Sequence, residues 1–146
     1  MSDDLKKRIL EFLHVQTVAN VATVEGDRPH VSALEYVHDD MTLYFVSMPH
    51  TQKVANLVEN PAVAVSINGP GRKREEIMGV QYFGKAERVD DEAERESVKT
   101  LFFDKYLLEP SAHWFKQHML LYKVTPERVD LIDYSQGFGH KDTWTA

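Results

Sequence analysis

The chain has no cysteine among its 146 residues. That absence excludes disulfides, thiolate catalysis and cysteine-ligated metals or iron–sulfur clusters. Long hydrophobic runs are missing too. The opening stretch, MSDDLKKRILEFL, is too charged, and its apolar run too short, for a signal peptide or a membrane span. There is no surplus of positive charge: 17 basic against 23 acidic side chains leave a net −6. Nucleic acid and anionic membranes are therefore not expected as partners. Nor is there an internal repeat or a low-complexity tract. What remains is an ordinary globular composition, long enough for a single domain with a real core over residues 1–146, and by default cytoplasmic.

The histidines do not form a metal-binding pattern. His113 and His118 are five apart, which does not place them on one helical face as a spacing of four would. His38 sits in a turn beside Asp39 and Asp40, where a solvated position is expected. His140 shares the tail with Trp144 and could reach a cleft of a partner subunit. Phe102, Phe103, Tyr106, Trp114 and Phe115 read as packing residues.

Residues 3–14 have the spacing of an amphipathic helix, with Leu5, Ile9, Phe12 and Leu13 along one stripe and Asp3 and Asp4 at its positive end. Strand chemistry follows over 17–24, TVANVATV. A turn at Glu25-Gly26-Asp27 leads to a second strand over 30–38. There Val31, Ala33, Glu35 and Val37 share one face, and His30, Ser32, Leu34 and Tyr36 the other. A third strand, around Leu43 to Ser47, completes an expected meander. Ala62 to Ile67 reads as a buried strand, NGPGRKREE (68–76) as an exposed connector, and 78–89 as a strand with Gly84 a candidate bulge. A helix is expected over 90–108 and a helical turn over 113–118. Two closing strands, 120–124 and 129–134, flank Thr125-Pro126-Glu127, and 135–146 is a glycine-rich tail. About six antiparallel strands at short spacing, with helices between them, argue for a mainly β fold and a small barrel. Such a barrel binds ligands in an outer groove or at its mouth.

The stretch TLYFVSMPHTQKVANLVENP, residues 42–61, is where chemistry concentrates. A strand meets Pro49, and a short helix starts in the cluster His50, Thr51, Gln52, Lys53. Thr51 suits the N-cap, and Val54, Leu57 and Val58 fall on one face. Open N–H donors, a hydroxyl and an ammonium at a helix start are the groups that hold a phosphate. The same residues also read as a capped helix with a solvated lysine.

The order of these pieces resembles the pyridoxamine 5′-phosphate oxidase-like FMN-binding split-barrel family. The residues that carry the resemblance begin with Thr23, Val24, Gly26, Arg28, Pro29, His30, Val31 and Ser32. The Leu-Tyr-Phe strand, Thr51-Gln52-Lys53 and Asn60-Pro61 continue it, and Gly84 to Val89 and Val124 to Val129 complete it. The resemblance spans roughly residues 5–135. It implies a six-stranded antiparallel split β-barrel of Greek-key type with flanking helices. It also implies a homodimer with FMN in clefts between the subunits, and a flavin-dependent oxidoreductase acting on a small molecule. Related proteins in this family use F420 or haem, or carry a flavin without catalysis. Carried over by position, the FMN phosphate falls at Thr51, Gln52 and Lys53. The ring falls along His30, Val31, Ser32, Ala33 and Leu34, lined by Val46 and Ser47, with Gln81 (or Gly79, by register) as a further contact. Gln52 stands where the family often has arginine or lysine, which implies a weaker grip on the phosphate. The chain ends KDTWTA, without the basic tail of the true pyridoxamine phosphate oxidases, so that oxidation is not expected. No catalytic acid or base is evident, as is usual where the cofactor supplies the hydride chemistry.

Overall fold

The computed structural model describes residues 2–107 and 119–146. The helical turn expected over 113–118, with His113, Trp114, Phe115 and His118, lies outside the described residues.

The elements run α1 (Ser2–Val15), β1 (Val18–Glu25), β2 (Arg28–Glu35), β3 (Val37–Asp39), β4 (Thr42–Ser47) and α2 (Gln52–Glu59). Then come β5 (Ala62–Asn68), β6 (Met78–Arg88), α3 (Glu92–Tyr106), β7 (Leu120–Asp133) and β8 (Lys141–Thr145). The strands form one curled antiparallel sheet in the order β2-β1-β5-β6-β7-β4-β3, with β8 beside β7. This is the half-open barrel that the sequence led one to expect.

Eight strands form among the described residues, against about six expected, and the boundaries differ in three places. First, the strand expected over 30–38 breaks at Tyr36. Its ring turns into the core, and its hydroxyl donates to the Leu13 carbonyl. Consecutive Tyr36 and Val37 are both buried, which ends the alternation. Second, the two closing strands are one long strand bent at Pro126. Third, the tail supplies β8, whose Trp144 packs on the main core. The expected meander is also corrected: β2 and β4 stand at opposite sides of the opening, with no ladder between them. Only the single residue Tyr36 carries the chain from one sheet end to the other.

Two glycines make the geometry possible. Gly26 takes φ +60° in the β1–β2 turn, which suits a two-residue hairpin. Gly84 sits where the β6–β7 register shifts, and a Cβ there would lie 2.1 Å from the Thr125 carbonyl oxygen. The main core joins Ile9, Phe12 and Leu13 of α1 and Val54 and Leu57 of α2 to the inner sheet face. A second cluster, with Val37, Tyr44, Val89, Val98, Phe102 and Leu121, holds α3 against the far side of β3, β4 and β7.

Candidate functional site

The β4–α2 corner gathers three of the expected residues. Ser47 is the last residue of β4, and alternation puts it on the inner face with Leu43 and Phe45. Thr51 caps α2: its Oγ1 accepts the Val54 N–H at 3.4 Å and lies 3.0 Å from Ser47 Oγ. Lys53 Nζ donates to Ser47 Oγ at 2.9 Å. The N–H groups of Gln52 and Lys53 are the first two of the helix and have no intrahelical acceptor. The helix start therefore points donors and a partial positive charge at the same spot.

Lys53 is the unusual member. It is only 9% exposed, and among the described residues no carboxylate forms an ion pair with it. Burial pushes its ammonium below the usual lysine range. Burying an ammonium on a single hydroxyl partner is unfavourable unless an anion completes the site. The capped-helix reading with a solvated lysine thus fails at the word solvated.

Gln52 does not add to this positive corner. Its Nε2 donates to Asn56 Oδ1 at 2.7 Å, and Asn56 Nδ2 donates to Thr23 Oγ1 at 2.9 Å. Asn56 and Thr23 are almost wholly buried. This polar thread pins α2 to β1, and it was not foreseen. Nothing in the sequence connects two residues 33 apart, although a threonine and an asparagine at core positions are a signal in themselves.

On β2 the expected residues divide by face. Thr23 of β1 pairs with His30, Val21 with Ser32 and Ala19 with Leu34, so these three β2 side chains share the inner face that α2 covers. Val31 and Ala33 pair with Ala22 and Asn20 and point outward. His30 Nδ1 and Ser32 Oγ are both buried without a hydrogen-bond partner. Two orphaned polar atoms on the strand face that α2 covers fit a bound polar group.

Gln81 lies on the other face. With Asn20, Ala22, Val31, Ala64, Ser66 and Phe83 it lines an outer recess of about 220 Å³. Val31 is 64% exposed there. Gln81 is cross-strand to Asp130, a buried carboxylate held by Thr143 Oγ1 at 2.7 Å and Arg128 at 3.4 Å. Gly79, the competing position, pairs with Asn68 and Ile132 one register step from that recess. Val46 packs with the second cluster, so its side chain points away from Ser47. One chain thus brings together His30, Ser32, Leu34, Ser47, Thr51, Gln52 and Lys53, and it leaves Val31, Ala33 and Gln81 across the sheet. A ligand touching both groups would have to straddle an edge or meet the outer face of a second copy.

A sequence profile of the pyridoxamine 5′-phosphate oxidase family matches residues 5–133. The chain belongs to this family. General stress protein 26 of Bacillus subtilis is 25% identical over 138 residues, covering 89% of each chain. Two solved structures share the fold at low identity. One is an FAD-binding protein from Mesorhizobium loti, with TM-score 0.66 and 23% identity over 84% of this chain and 90% of that one. The other is a haem-binding protein from Mycobacterium smegmatis, with TM-score 0.72 and 19% identity over 96% of this chain and 56% of that one.

Proposed function

We propose that the chain binds FMN, with the phosphate at Ser47, Thr51 and Lys53, and serves as a flavin-dependent oxidoreductase for a small molecule. The carrying observation is the buried Lys53 ammonium, which among the described residues has one hydroxyl partner and no carboxylate. A phosphate monoester supplies the missing charge and accepts from the helix N–H groups and the two hydroxyls together. Ser32 Oγ and His30 Nδ1, unpartnered beside α2, would meet the polar edge of the ring system. FMN would supply hydride transfer, and the chain's part is to hold and orient it and to keep water away.

The outer residues Val31, Ala33 and Gln81 enter this reading through a homodimer, in which each copy completes the other's cleft. The exposed valine and the shallow recess on that face support such an interface. The FAD-binding relative favours a flavin. The haem-binding relative favours a second reading, for which His30 Nδ1 is a buried, unpartnered nitrogen on the cleft strand.

The absorbance spectrum of the purified protein, with and without added FMN, tests the proposal. Flavin bands that persist through gel filtration are expected. A Soret band would favour haem, and a colourless protein that ignores FMN would overturn both readings. Bleaching of the bound flavin by NADH or NADPH, followed by reoxidation with candidate acceptors, distinguishes an enzyme from a carrier.

A further inference from the structure

A second lysine, half-buried, sits near the end of α3. This residue, Lys105, lines a recess of about 380 Å³ with His14 of α1, Val37 and His38 of β3, and Leu101 and Asp104 of α3. Its Nζ sits 4.1 Å over the Tyr36 ring and donates to the Leu13 carbonyl at 3.2 Å. Among the described residues no carboxylate forms an ion pair with it. Tyr106 stiffens the same corner: its hydroxyl accepts the Tyr36 N–H at 3.2 Å and lies within donating reach of the Tyr36 and Thr17 carbonyls.

We propose that this recess is a lysine acylation site, in which the Lys105 amine takes an acetyl group from a small acyl phosphate. The Nζ lone pair attacks the carbonyl carbon and forms the C–N bond. The bond from that carbon to the phosphate oxygen breaks, and inorganic phosphate leaves with the electron pair. The amine proton passes to solvent or to a neutral base lining the recess. No oxidation or reduction is involved.

Geometry sets up each part of this step. Val37 and Leu101 offer an apolar lining for the methyl group. The His38 ring bonds to the Asp40 carbonyl through Nδ1 at 3.0 Å. A carbonyl only accepts, so Nδ1 carries the proton and Nε2 is left as a base. Burial also keeps His38 below its usual range, hence neutral. Burial pushes Lys105 down to about 8, so a useful fraction is free amine near neutrality. The charged and titratable groups facing it from other elements are Glu35 of β2, His38 of β3 and His14 of α1, with Asp39 of β3 acting on His38. Asp104 and Tyr106 share its own helix, and the Tyr36 ring face favours the ammonium.

The test is site-resolved mass spectrometry of the full chain during exposure to acetyl phosphate at pH of about 7, 8 and 9, bracketing the Lys105 midpoint. Lys7 and Lys73 are exposed comparators. Lys105 is expected to be acetylated about tenfold faster than either at neutral pH. Its rate should level off above pH 8 while theirs keep climbing. Labelling of Lys105 no faster than Lys7 and Lys73 overturns the proposal. Leu101→Trp, which fills the recess from the helix surface, should slow Lys105 about fivefold or more and spare the comparators. Unchanged Lys105 labelling in that variant would equally overturn it.

Discussion

Two corners of this fold hold a lysine with no carboxylate partner among the described residues, Lys53 buried and Lys105 half-buried, and they solve the problem differently. Lys105 is supplied from within: a tyrosine face, a main-chain carbonyl and a lowered proton affinity. Among the described residues Lys53 bonds a serine hydroxyl alone, at a helix start, and β2 carries two orphaned polar atoms on the face that α2 covers. The first corner is complete as folded. The second is complete only with an anion. A sequestered lysine therefore calls for a resident anion only when its neighbours are also short of partners; otherwise it is left as an amine that can react.

Substitutions at the two lysines separate these cases. Lys53→Ala should weaken FMN binding by about 1–3 kcal/mol, the scale of a lost charge-assisted hydrogen bond. The reading of Lys53 fails if calorimetric titration gives an unchanged Kd. Lys105→Met should leave FMN affinity alone and raise stability by up to about 1 kcal/mol at neutral pH, because a half-buried charge without a carboxylate partner is removed. The pH dependence has a definite sign. The folded pKa, about 8, lies below the unfolded value near 10.5, so the unfolded chain binds more protons between them. Wild-type stability should rise with pH through that window, and Lys105→Met should lose that part of the rise. Urea melts at several pH values would show it, and parallel wild-type and variant curves would contradict it.

Smaller effects bear on the Lys53 corner. Gln52→Arg should tighten FMN by about 1 kcal/mol, since a fork replaces an amide whose nitrogen is spent on Asn56. Fluorescence titration of both proteins decides this, and weaker binding would show that the thread to Asn56 and Thr23 matters more than charge. Ser32→Ala should change apo stability by less than about 0.5 kcal/mol or raise it slightly, because Oγ has no partner to lose. Its FMN affinity should fall. A marked loss of apo stability would mean that Ser32 serves the fold and not a ligand.

The sequence showed most of this frame and less of the site. Local rules marked the Gly26 turn, the Gly84 register shift and the Thr51 cap, because a turn residue, a bulge and a cap each answer to their own neighbourhood. The alternation puts Tyr36 on the His30, Ser32 and Leu34 face of one continuous strand. Its hydroxyl reaches Leu13 and its main-chain N–H and carbonyl go to the Tyr106 hydroxyl, contacts across the fold that end the strand there. Pro126 looked like a break between two strands, yet β7 runs through it, since the Gly84 shift opposite accommodates the missing N–H. The tail KDTWT alternates too briefly to announce a strand. At the site, alternation separated Ser32 from Val31, but the Lys53–Ser47 and Asn56–Thr23 bonds join segments that only the folded sheet brings together.

The central claim is that the β4–α2 corner holds a phosphate. Calorimetric titration with FMN and with riboflavin, the same ring without the phosphate, tests it most directly. The account predicts that FMN binds at least about tenfold more tightly, the worth of a charge-assisted contact or two, and that Lys53→Ala erases most of the gap. Equal affinity for the two flavins would contradict it.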